Sequence, residues 1–307
     1  MLRRLAGAGG VATEVGIDLL VRLIGRTIDP ASHQWLAVPV GTGDRIGPGY
    51  YAELAAAEGL EVRCRPEDGL LPSFAVLRGP GFDPDLVHPA VAAFYERTSE
   101  QRLEAWSHSP ALTRVFLWWL VALVSRRMDQ FNFPLSPLSL AGGITSEVLP
   151  LVDPVTGARV YTGWLRRAAP TGRVVYAGLY SVGRLPASPG PCVQVSFPVP
   201  RGSVVVFLRP ENAPGGSFRL VSDGVEFGGT GYYRVVARGP GRWAVRHFRR
   251  LREVFDVYLD PAGVLRTDHE IRFLGLPVVR LHYKILPAAG RSQRHAEPDA
   301  AADGGGG

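Results

Sequence analysis

Apolar and polar residues alternate along short segments from Ile144 to Leu286, and compact turn signals separate the segments. The turns are Asp153-Pro154-Val155-Thr156-Gly157, Pro200-Arg201-Gly202, Ser222-Asp223-Gly224, Gly239-Pro240-Gly241 and Asp260-Pro261-Ala262-Gly263. Alternation with a period of two puts successive side chains on opposite faces of a sheet, and turns this short join neighbouring strands as hairpins. No helix-length segment interrupts the run. The pattern therefore predicts an α+β fold dominated by an antiparallel sheet of about 8–10 strands that curls on itself or closes as a barrel, with an N-terminal α/β and helical portion packed against it. Such a barrel either fills its interior with side chains or encloses a ligand.

Before this run the signals are mixed. Val11, Val15, Leu19 and Leu23 recur at helical spacing and predict an amphipathic helix within residues 1–28. Trp35–Val40, Leu60–Arg65 and Ser73–Leu77 read as short strands, and Tyr50–Glu58 as a helix stopped by Gly59. Pro89 suits the first position of a helix running to about Trp106. Ser109-Pro110 opens a second helix over Ala111–Met128 that is apolar on nearly every side and ends in Arg126 and Arg127. The organisation expected is a mixed portion over 1–130, a Pro/Ser/Gly connector over 131–143, a β domain over 144–287 and a tail disordered by composition over 288–307.

The last hairpin can be registered from its residues. Leu265, Thr267, His269, Ile271 and Phe273 share one face of its second strand, while the other face carries Arg266, Asp268, Glu270 and Arg272. In its first strand the apolar set is Phe255, Val257 and Leu259. Pairing Leu259 with Val264 would set apolar against charged residues. A three-residue loop with Gly263 in the left-handed conformation instead pairs Leu259 with Leu265 and Val257 with Thr267. That register sets His269 opposite Phe255 and Glu253 opposite Ile271, which makes His269 and Glu253 diagonal neighbours on an apolar inner face. A histidine and a carboxylate buried together are acid–base candidates, because burial and mutual charge shift both titrations.

Glu147, in the first β segment, is a third acid–base candidate if it points inward near Trp164. Phe255, Thr267, Trp164 and Tyr176 are the candidate ligand-binding residues. Trp118 and Trp119 are adjacent, so they cannot both face one side of their helix. With Arg126 and Arg127 they form a candidate surface for a membrane or partner.

Composition removes several classes of function. The net charge is +6, but only Lys284 among the 34 basic residues is lysine and only Asn132 and Asn212 are asparagine. Lysine and asparagine codons are AT-rich, so this skew is what a GC-rich genome produces, and no basic stripe with interleaved aromatics points to nucleic acid. The two cysteines, Cys64 and Cys192, lie far apart without Cys/His clustering, so no metal site is expected. Gly41-Thr42-Gly43-Asp44-Arg45-Ile46 fails the dinucleotide fingerprint at its sixth position, and Ser181 has the wrong glycine spacing for a nucleophile elbow. No cofactor is expected. The longest apolar run, Val115–Val124, is too short to span a bilayer. The expectation is a cytoplasmic, arginine-rich container for an apolar small molecule or lipid. The alternatives are a cofactor-independent isomerase, cyclase or hydrolase built on the same interior, or a membrane-peripheral or partner-binding protein using Trp118 and Trp119.

Overall fold

Inward and outward residues alternate as expected along the strands that follow Ile144, and the alternation closes a barrel. The computed structural model describes residues 18–40, 49–108, 144–168, 172, 174–199, 202–239 and 241–288. Its strands are β1 (Arg26–Ile28), β2 (Glu61–Val62), β3 (Gln101–His108), β4 (Ile144–Val152), β5 (Arg159–Ala168), β6 (Val174–Arg184) and β7 (Pro191–Val199). They continue with β8 (Gly202–Ala213), β9 (Ser217–Val221), β10 (Gly231–Gly239), β11 (Arg242–His247), β12 (Leu251–Leu259), β13 (Leu265–Phe273) and β14 (Leu276–Pro287). Ten of them form an antiparallel ring in the order β8-β7-β6-β5-β4-β3-β14-β13-β12-β9, and β9 pairs back onto β8. Closure leaves this ring no free edge.

The ring closes because β8 is shared. Its first half, Gly202–Phe207, pairs with β10, and its second half, Arg209–Ala213, pairs with β9. Gly202 sits where β10 presses closest: a Cβ there would lie 2.1 Å from the Val235 carbonyl oxygen. Beyond β10, strands β11 and β1 extend the sheet away from the ring. One face of this extension packs Ile28, Leu36, Val205, Phe207, Tyr233 and Val245 around Trp35. Its other face holds Arg234, a 7% exposed guanidinium paired with Asp18 at 2.6 Å.

Two further pieces cover the barrel. Helix α1 (Tyr50–Glu58) lies on the outer face of β4, β5 and β6, where Tyr51 and Leu54 meet Leu151, Leu165 and Leu179. The Tyr51 hydroxyl donates to the Gly178 carbonyl at 3.2 Å, and its ring lies against Gly163. Residues 66–100, which include helix α2 (Pro89–Glu96), stopper one end of the barrel. Phe74, Phe82 and Tyr95 pack their rings around the inward-facing Phe218, with centroids 4.9, 5.3 and 5.3 Å away. The stopper is fastened to the rim by Arg159 to Asp68 (3.0 Å), Asn212 to Asp83 (2.8 and 2.9 Å) and the His88 N–H to the Gly216 carbonyl (2.8 Å).

Several local expectations need correction. Ser73–Leu77 and Trp35–Val40 are not strands: Phe74–Leu77 and Gln34–Leu36 form 3₁₀ turns, the first capped by the Ser73 hydroxyl. Such short apolar runs suit either state, and the cap decides. The helix begun at Pro89 ends at Glu96, not near Trp106. The Thr98 hydroxyl bonds back to the Phe94 carbonyl at 2.6 Å, and Gln101–His108 becomes β3, paired along its length with β14. At the N-terminus, residues 18–24 are helical but Arg26–Ile28 is a strand on β11. Helix 111–128, with Trp118, Trp119, Arg126 and Arg127, lies outside the described residues, as do residues 289–307 of the tail.

Two tests follow from this packing. A Cβ on Gly163 would lie 2.6 Å from the Tyr51 ring. Gly163→Ala is therefore expected to lower stability by about 1–3 kcal/mol through overpacking, and chemical denaturation checks this. A loss under about 0.5 kcal/mol would mean that α1 moves freely on the wall. The second test concerns His247, which is buried and stacked on Tyr233 with centroids 4.4 Å apart. Burial, with Arg249 nearby, holds its pKa down at about 4 against an ordinary 6.5. The unfolded chain takes up a proton near 6.5 that the folded protein refuses until about 4, so stability is full above this window and falls as pH drops through it. His247→Phe keeps the stack and cannot protonate. Its Tm should fall less than that of the wild type between about pH 7 and pH 4, and parallel curves would refute the assignment.

Candidate functional site

The β12–β13 hairpin has the register its sequence predicts: Leu259 opposite Leu265, Val257 opposite Thr267, Phe255 opposite His269 and Glu253 opposite Ile271. Gly263 takes the left-handed conformation (φ 73°), and the Asp260 carboxylate accepts from the Ala262 and Val264 N–H groups. The diagonal pair meets. His269 Nε2 lies 2.5 Å from Glu253 Oε1, and both side chains are buried, at 10% and 8% exposure. The imidazole stacks on Phe255, with ring centroids 3.9 Å apart. Its other nitrogen, Nδ1, is buried and has no hydrogen-bond partner.

Neighbouring strands turn further polar side chains to the same interior. In β5, Trp164 and Arg166 share a face, and the guanidinium carbon lies 3.4 Å from the Trp164 ring centroid, 4.9 Å from Tyr176 and 5.5 Å from Tyr283. In β6, Tyr176 and Tyr180 share a face across Gly178. The Tyr176 hydroxyl donates to that of Tyr180 at 3.3 Å, and a Cβ on Gly178 would sit 2.8 Å from the Tyr176 oxygen. Thr267 is buried between Val257 and Tyr283 in the register. The Tyr232 hydroxyl, from β10, hydrogen-bonds to Glu253.

This cluster sits away from the stopper. Glu253 is near the start of β12, Arg166 near the end of β5 and Tyr176 near the start of β6, whereas the stopper grips the start of β5 and the end of β8. The cluster is also charged at two places. Glu253 raises and Arg166 lowers the titration of both Tyr180 and Tyr283, so these two phenols feel the anion and the cation together. Burial outweighs both charges and pushes Tyr180 up to about 12, with Tyr176 and Tyr232 well above the ordinary tyrosine value. All therefore keep their protons and serve as donors.

Of the residues selected from the sequence, Glu253, His269, Phe255, Thr267, Trp164 and Tyr176 come together in this interior. Glu147 does not. Ser146 and Val148 take the inward positions of β4, and Glu147 points outward with a 53% exposed side chain paired to Arg167 at 3.2 Å. The expected inward carboxylate is corrected by α1, whose burial of Leu149 and Leu151 sets the outer face of the strand. Sequence reading missed Arg166, Tyr180, Tyr232, Tyr283 and Ser146. Parity held the signal for two of them: Arg166 is two residues beyond Trp164, and Tyr180 four beyond Tyr176.

The outer wall offers a concavity of about 660 Å³ along β9, β12, β13 and β14. Most of its charges pair with one another, Arg219 with Asp256 (2.5 Å), His282 with Asp268 (2.7 Å), and Arg272 and Arg280 both with Glu270, while Arg252 makes no ion pair among the described residues. Such a mutually paired surface has less to offer a ligand than the interior, where buried polar atoms stand unpaired.

No family model, curated protein or solved structure matches this chain. The site must therefore be read from its own chemistry. Where a neutral imidazole donates Nε2–H to Glu253, Nδ1 is left as an acceptor, which is what an oriented general base requires. Among the described residues no helix is long and apolar enough to cross a membrane.

Coupling between the two groups is measurable. His269→Ala leaves a carboxylate buried without its partner, and Glu253→Ala leaves the imidazole so. Each is expected to cost about 3 kcal/mol of unfolding free energy, and the double variant clearly less than the sum. Additivity within about 0.5 kcal/mol would show that the two side chains are not coupled.

Proposed function

We propose that the barrel interior is the binding site of a small organic molecule and that the His269–Glu253 pair transfers a proton to or from it, without a cofactor. The observation that carries this reading is the buried 2.5 Å contact between His269 Nε2 and Glu253 with Nδ1 left unpartnered. A buried ring nitrogen without a partner costs about 1–3 kcal/mol, and His269 differs from His247 in having its other nitrogen fixed by a buried carboxylate. Here one nitrogen is fixed and the other is kept available. Protonated tyrosines supply the acid side, and the apolar wall that includes Phe255 and Phe197 excludes water from the transfer.

Isomerisation, cyclisation and hydrolysis are all served by an oriented base beside phenolic donors. The plain container is the second reading, supported by the same apolar wall. The two separate in one experiment. Wild-type protein and His269→Gln are incubated with a small-molecule extract of the native host in D₂O, and the extract is followed by mass spectrometry. The expected outcome is at least one compound whose mass or deuterium content changes with the wild type and not with the variant. Extracts that stay identical would sink the proton-transfer reading. Native mass spectrometry of the same samples would then show whether a ligand is carried unchanged.

A further inference from the structure

Arg166 is a cation on the inner wall, and among the described residues no carboxylate pairs with it. Its guanidinium faces the rings of Trp164, Tyr176 and Tyr283 and hydrogen-bonds the Tyr283 hydroxyl. Its Nε is buried without a hydrogen-bond partner, and the same holds for two neighbours: Trp164 Nε1 and Ser146 Oγ. The three belong together by register. Ser146 pairs directly with Arg166 across β4 and β5, and Trp164 is two residues before Arg166 on the same face. Trp164 itself is only 3% exposed.

Two of these three atoms can only donate. An indole N–H and a guanidinium N–H have no acceptor capacity, and the serine hydroxyl rotates to donate as needed. A group that satisfies all three at once must be an acceptor with several lone pairs. Holding a cation on an inner wall without a counter-ion is costly, and an anionic ligand relieves that cost. The rings fix the plane of the guanidinium, which suits the two-pronged recognition of a carboxylate.

We propose that the molecule bound in the barrel is a small organic anion, its carboxylate or equivalent oxyanion head held by Arg166, Trp164 and Ser146, and its apolar body lying along the aromatic wall. This rests on the reading of the interior as the ligand site and names the ligand class. It also explains the separation of charges inside the barrel. The anion's head sits at Arg166, and Glu253 is occupied by His269 and Tyr232 rather than by the arginine. The carboxylate of the protein and that of the ligand then do not compete for one cation.

The test uses matched acids and amides: benzoate, phenylacetate and octanoate against benzamide, phenylacetamide and octanamide, titrated calorimetrically into the full chain. Wild type should bind the acids at least about tenfold more tightly than the amides. Arg166→Gln should abolish that preference, Arg166→Lys should keep part of it, and Glu147→Gln, on the outer face, should keep it whole. Near-ultraviolet circular dichroism identifies any variant that has lost its fold, and the lysine variant then carries the test. Acids and amides bound equally by the wild type would overturn the anion site while leaving the interior as the ligand site. Binding of either series that neither Arg166→Gln nor His269→Gln changes, or no binding of any probe, would overturn both.

Discussion

Everything inside this protein depends on the divided edge of β8. One strand hydrogen-bonds β10 over its first half and β9 over its second, and the second pairing closes the ring. Without it the sheet would end in open edges, and its apolar face would have no enclosed side. With it, parity becomes an assignment. Every second residue of β12, β13, β14, β5 and β6 is committed to one shared interior, and a one-residue slip in any strand would exchange the two faces.

That commitment explains why chemistry gathers where it does. The stopper half of the barrel is filled by Phe74, Phe82, Tyr95 and Phe218, which leave the polar residues to the other half. There His269 with Glu253, several protonated phenols and the Arg166 guanidinium share one wall. Lys284, the one lysine, occupies an outward position of β14 between Tyr283 and Ile285, opposite Glu104. No amine therefore lines the described wall, and imine chemistry is not part of what this interior offers.

The β half of the fold was legible because its signals are local: turn residues, alternation and one glycine that had to be left-handed. The meeting of His269 with Glu253 followed from the same arithmetic, since a single hairpin register determines it. Arg166 could not be found in this way. Its role depends on β5 lying between β4 and β6 and on Tyr283 arriving from the far end of the chain, and strand order is not written in any one segment. Glu147 failed for a related reason. Its segment is apolar at both Val148 and Leu149, so parity is undecided until α1 covers one side. The misread helix past Glu96 shows the same effect, because β3 is a strand only by virtue of its pairing with β14.

The stopper has a consequence for how the protein is made. Residues 66–100 leave the ribosome before nearly all of the wall that encloses them, and Phe74 and Tyr95 must wait for Phe218, Val257 and Ile285 to be synthesised. At about 5–20 residues per second that delay is on the order of ten seconds or more, with Phe74, Phe82 and Tyr95 lacking their wall partners throughout. The barrel is therefore built around its plug rather than plugged afterwards. The pairing that finishes it, β14 with β3, joins segments far apart in the chain, so folding should be slow and reliant on protection of the early segment.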